Sequence, residues 1–116
     1  MLTGQRPTSH RELVTLPVGI EEPSTNTIHR EAEVRAVTGA DELYIGTSPD
    51  YNRFPNDLVY KTLLLSRTVT RLGNKTNVTV EDIKRLHATD LRALENAVYR
   101  ITYGESVVPE SPGPGG

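Results

Sequence analysis

Along residues 28–36 apolar and polar positions take turns: Ile28, Ala32, Val34 and Ala36 fall on one side, His29, Glu31, Glu33 and Arg35 on the other. A period of two belongs to a strand with one face buried and one face wet. Arg30 is the exception, placed on the apolar side. Upstream, Val14, Leu16, Val18 and Ile20 alternate with Thr15, Pro17 and Gly19, which predicts a first strand. Pro17 has no N–H to give to a ladder, so that strand belongs at a sheet edge. The turn formers of Glu21–Thr27 separate the two runs, and Leu13–Val37 therefore reads as a β-hairpin with a loop longer than the tight two-residue types. A hairpin alone is marginal in water, so its apolar face must pack on helices.

Thr38-Gly39 breaks the alternation, and Ala40-Asp41-Glu42-Leu43-Tyr44 opens a predicted helix. Asp41 and Glu42 then sit near its N-terminus, where backbone amides and aligned peptide dipoles favour negative charge. Gly46–Pro55 holds two prolines and reads as a loop, which Tyr51 and Phe54 either anchor or offer to a partner. Asn56–Leu72 predicts a helix, with Leu58, Val59, Leu63, Leu65, Val69 and Leu72 as its apolar stripe. Pro55 suits its first turn and Gly73 its left-handed stop. Lys61, Arg67, Arg71 and Lys75 against Asp57 give this segment a mildly basic, solvated face. After the loop Asn74–Val78, Thr79-Val80-Glu81-Asp82 has the form of a capping box opening a short helix to His87. Thr89-Asp90 then caps a last helix with the seam Leu91, Leu94, Val98 and Ile101, ended by Gly104.

The predicted class is α+β: an N-terminal β-hairpin packed on a small bundle of three to four helices. It divides into an N-terminal arm over 1–12, a single domain over 13–105 and a Pro/Gly-rich tail over 106–116, with termini that are disordered or held by a partner. The chain's 116 residues fit one domain with a modest core. Only 35% of residues are hydrophobic, with one Phe and no Trp, so that core is aliphatic and small. A formal charge of −2 weighs against a general polyanion binder.

Cysteine is absent from the sequence, which removes disulfides, thiolate zinc sites and cysteine nucleophiles together. No apolar run approaches the roughly 20 residues needed to span a bilayer, and MLTGQRPTSH has no signal-peptide core, so a cytoplasmic location without a membrane partner is expected. His10, His29 and His87 are scattered over an arm, a strand and a helix end, with no spacing that suits a metal. Glu31 and Glu33 share a strand face about 7 Å apart by strand geometry, a separation that glycosidase carboxylates also use. Beside His29 and Arg35 they read instead as a solvated, cross-strand-paired surface. Isolated glycines make no phosphate loop, and no serine sits in a nucleophile context. The patterns Asn74-Lys75-Thr76 and Asn77-Val78-Thr79 match glycosylation acceptors only by chance without a secretory signal. Neither an enzyme, a cofactor, a metal nor a small-molecule substrate is expected. Thr79–Tyr103 has the spacing of a helix-turn-helix DNA reader, yet Lys84, Arg85, Arg92 and Arg100 are cancelled by Glu81, Asp82, Asp90 and Glu95, so nucleic acid is not expected as a partner.

The order of phrases is itself a pattern: an LPVG strand (Leu16–Gly19), a polar loop, the strand HREAEVR (His29–Arg35), TGADE (Thr38–Glu42), a leucine-rich helix ending TRLG (Thr70–Gly73), a short capped helix, and a closing helix ending YRITYGE (Tyr99–Glu105). It resembles the small baseplate hub assembly proteins, or tail assembly chaperones, of contractile-tailed bacteriophages and related contractile injection systems. His87-Ala88-Thr89-Asp90-Leu91-Arg92 keeps only part of that family's opening of the last helix, and the loop Ser48–Pro55 looks longer. The resemblance implies a protein that binds, positions or delivers other tail or baseplate proteins, in the host cytoplasm during assembly. A permanent structural subunit of the mature virion's tail or baseplate, and a homo-oligomer within a large assembly, are the alternatives it leaves. A contact surface would use Glu31, Glu33 and Arg35 of the outer strand face, the Tyr51 and Phe54 loop, and the termini.

Overall fold

Alternation at the N-terminal end of the chain becomes two long antiparallel strands, β1 (Arg11–Glu22) and β2 (Thr27–Arg35). The computed structural model describes residues 10–104; the arm to residue 9 and the tail 106–116 lie outside the described residues. The strands run closer to the turn than the sequence suggests, leaving residues 23–26 between them. Thr25 and Asn26 donate their N–H groups to the Glu22 carbonyl, and Asn26 takes the left-handed conformation (φ 60°) that asparagine tolerates.

Beyond β2 come α1 (Gly39–Gly46), α2 (Pro49–Arg53), α3 (Asp57–Thr68), β3 (Val69–Leu72), α4 (Val80–Lys84) and α5 (Ala88–Tyr103). The class is α+β, with five helices and a sheet of order β1-β2-β3 among the described residues. Strand β3 corrects the sequence reading: the predicted helix Asn56–Leu72 stops at Thr68, and its last four residues pair with β2. The register runs Val34↔Val69 and then Glu33↔Arg71, so Thr70 is an extra residue. That irregularity returns Val69 and Leu72 to the same buried face although they lie three apart, a spacing that imitates a helix. Leu58 also leaves the predicted stripe, being 68% exposed.

Strand β1 is interrupted as well. Its register passes from Thr15↔Glu31 to Ile20↔His29, so Leu16–Gly19 bulges off the ladder, with Pro17 on the free edge of the sheet. Gly19 has φ 96°, and Val18 points to solvent instead of continuing the apolar face. The predicted loop Gly46–Pro55 contains a second departure, the single helical turn of α2, whose first position is Pro49.

One face of the sheet packs on α5. The core joins Val14, Leu16, Ala32, Val34 and Leu72 of the sheet to Leu65, Ile83, Leu94, Val98 and Ile101 of the helices. It is aliphatic throughout, as the composition requires. No described helix is long and apolar enough to cross a membrane.

Candidate functional site

The surface residues singled out from the sequence are brought together by threes and twos. Glu31, Glu33 and Arg35 do share the outer face of β2, and each is engaged within the chain. Arg71 reaches Glu31 at 3.1 Å from the neighbouring strand; the Thr70 hydroxyl donates to Glu33 at 2.8 Å, and Arg11 stands 3.7 Å from the same carboxylate. Arg35 turns away from solvent and grips Asp41 with both terminal nitrogens at 2.9 Å. Tyr51 and Phe54 lie elsewhere, on and just after α2, which packs against α1 and α3. Tyr51 sets its ring edge-on to Tyr60 at 6.1 Å, and Phe54 is 62% exposed.

Two fully buried carboxylates are structural. Thr38 caps α1 and forms a capping box with Asp41. The same carboxylate accepts from Arg35 and, at 3.0 Å, from Arg67 Nε on α3, while the Arg67 guanidinium stacks on the Tyr44 ring at 4.5 Å. Burial pushes the Asp41 carboxyl up, but the Arg35 pair, the Thr38 backbone and Arg67 outweigh it and hold the group well below the usual carboxylate range. Asp90 was placed in the cap of the last helix by its position in the sequence. The cap is His87, whose Nδ1 accepts from the Thr89 N–H. Asp90 instead accepts from the N–H groups of Val18 and Gly19 at 2.8 and 2.9 Å, clasping the bulge of β1. The LPVG phrase thus has a physical reason: its backbone turns two donors inward to one carboxylate.

At the hairpin end His29 pairs with Glu22 at 2.7 Å and holds that carboxyl below its ordinary value. Among the described residues no group of three His, Cys, Asp or Glu side chains is placed to hold a metal.

A groove of about 380 Å³ lies between α1, α3 and α5. Tyr60, Tyr99 and Tyr103 line it over a floor that includes Leu65 and Val98. The Tyr99 and Tyr103 rings stand 4.9 Å apart, and the two side chains are 43% and 54% exposed. Burial, then the nearby Glu42 carboxylate, raises the Tyr60 hydroxyl above its ordinary value, so it stays neutral and able to donate. The groove is not legible as such in the sequence. The spacing of four between Tyr99 and Tyr103 was the available signal, since it puts both rings on one helix face; the contribution of Tyr60 from α3 depends on tertiary packing.

Neither a protein-family model, nor a curated protein, nor a solved structure matches this chain.

Proposed function

We propose that this protein acts by protein–protein binding, as an assembly protein of a contractile tail baseplate. The observation that carries the reading is how the chain spends its polar and aromatic groups. Its buried carboxylates hold backbone and guanidinium groups within the fold, whereas Leu43, Phe54, Leu58, Tyr99 and Tyr103 are left more than two-fifths exposed. Aromatic side chains are enriched at protein–protein contacts, so exposed tyrosines and a phenylalanine beside carboxylates committed to structure support a binding role. The order of LPVG, HREAEVR, TGADE, TRLG and YRITYGE adds the tail context.

The test is affinity capture of the tagged full chain from cells producing a contractile tail, with the bound proteins identified by mass spectrometry. A baseplate or hub protein is expected, and the Tyr51→Ala/Phe54→Ala double variant is expected to recover about a tenth as much or less, as befits loss of aromatic anchors. Recovery of no tail component by the parent chain would sink the tail assignment. Finding the chain at fixed copy number in mature particles would favour a permanent subunit over a departing assembly protein.

A further inference from the structure

We propose that the groove between α1, α3 and α5 docks a basic amphipathic segment of another protein, which lays aliphatic side chains on the groove floor and a Lys or Arg among the tyrosines. The inference rests on the binding function above and names the chemistry of one partner segment.

Three tyrosine rings converge on the groove, and aromatic faces attract cations, most strongly where water is thinned. Three carboxylates belong to its walls, Glu42 on α1, Asp57 on α3 and Glu95 on α5, against a single amine, Lys61. Lys61 already stands 3.1 Å from Asp57 and 3.9 Å from Glu95, and Arg92 pairs with Glu95 as well, whereas Glu42 makes no ion pair among the described residues. Glu42 is therefore the one groove carboxylate left without a cation among the described residues, and the groove floor is apolar. An acidic or uncharged partner would leave that carboxylate uncompensated. The chain's own segment after Gly104 carries Glu105 and Glu110 and no Lys or Arg, so its charge has the wrong sign to fill the groove. A cation presented between aliphatic residues suits both halves of the surface.

The probe is a set of three synthetic 15-residue amphipathic peptides with the same Leu/Ala face and with Arg, Gln or Glu at the same three positions. Each is titrated into the full-length protein and followed by backbone amide NMR shifts. The Arg peptide is expected to move the resonances of Tyr60, Lys61, Tyr99 and Tyr103, to bind more tightly than the Gln and Glu peptides in that order, and to weaken as salt rises. Tyr99→Ala and Glu42→Gln, both at exposed side chains, are expected to weaken it by roughly two- to fivefold each. Lys61→Gln, which removes the resident cation, is expected to strengthen it, a change of sign that loss of fold would not produce. Equal binding of the Glu peptide, shifts that map to another face, weakening by Lys61→Gln, or peptide-independent shifts that grow with protein concentration would each overturn the proposal. The last would mean that a second copy fills the groove. If Tyr99→Ala still captures a tail protein in full, the groove is discarded and the tail function stands; if the Arg peptide binds here but no tail protein is captured, the reverse holds.

Discussion

A carboxylate withdrawn from water is tolerable only when fixed donors meet its oxygens. Asp41 satisfies that condition with two guanidinium groups and the backbone and hydroxyl of Thr38. Replacing it with asparagine leaves Arg35 and Arg67 facing a neutral amide, and because both guanidiniums keep some access to water the loss is about 2 kcal/mol. Asp41→Asn is expected to lower the urea midpoint accordingly. The pH dependence has a definite sign. A carboxyl held below its unfolded value of 3.8 contributes stability that is complete above that pH and fades as pH falls from there toward its folded value. The parent protein should therefore lose stability steeply below about pH 4, and Asp41→Asn should show a flatter acid limb, read by urea denaturation at a series of pH values. The sequence announces an acid near the start of α1, because Asp three residues after Thr38 is a local signature. It does not announce Arg67, 26 positions away, since a side chain's distant partner is set by packing.

Strands and helices differ in how openly the sequence declares them. Strand β2 and α5 follow their periodicities apart from Ile28, which is exposed, and the capping box at Thr79 and Asp82 stands where the residues place it, although α4 stops at Lys84, short of His87. The handover from α3 to β3 is concealed. Thr68, Val69 and Thr70 are β-branched in succession and favour extension, but a bulge lets an apolar pair three apart share one face, as it would in a helix. Gly73 was expected to adopt a left-handed conformation, and it does, with φ 57°, though it closes a strand and not a helix. Its N–H donates to the Glu31 carbonyl at 2.8 Å, and a Cβ there would lie 2.8 Å from His29 Cβ. Gly73→Ala combines backbone strain with a clash against a strand, and a cost of about 2 kcal/mol or more is expected. Gly46→Ala, where a Cβ meets nothing within 4 Å, is the matched control and should leave the thermal midpoint within a few degrees. A loss at Gly73 no larger than at Gly46 would contradict the packing described for β3.

Across the whole molecule the fold is a sheet laid on its own last helix. The hydrophobic pattern makes the two participants legible, because β1, β2 and α5 each display an apolar face. The way they are locked is not legible, because Val18 looks like a buried strand residue and Asp90 like an ordinary cap. The groove tyrosines were equally obscure, being drawn from helices that meet only after folding. The clasp yields its own prediction. Asp90→Ala would strand the N–H groups of Val18 and Gly19, and loss of hydrogen bonds to a buried charge is expected to cost about 2–3 kcal/mol. The urea midpoint should fall with an unchanged slope, and tyrosine fluorescence and far-ultraviolet circular dichroism should report one coincident transition. A midpoint equal to that of the parent would mean that the bulge is held by other contacts. Val18 and Asp90 are separated by 72 positions, so closing this contact requires β2, β3 and every helix up to the start of α5 to lie between its two ends. The bulge of residues 16–19 therefore stays unlatched until α5 is in place to receive its two N–H groups. A fragment ending before α5 would therefore leave the bulge of β1 without its clasp.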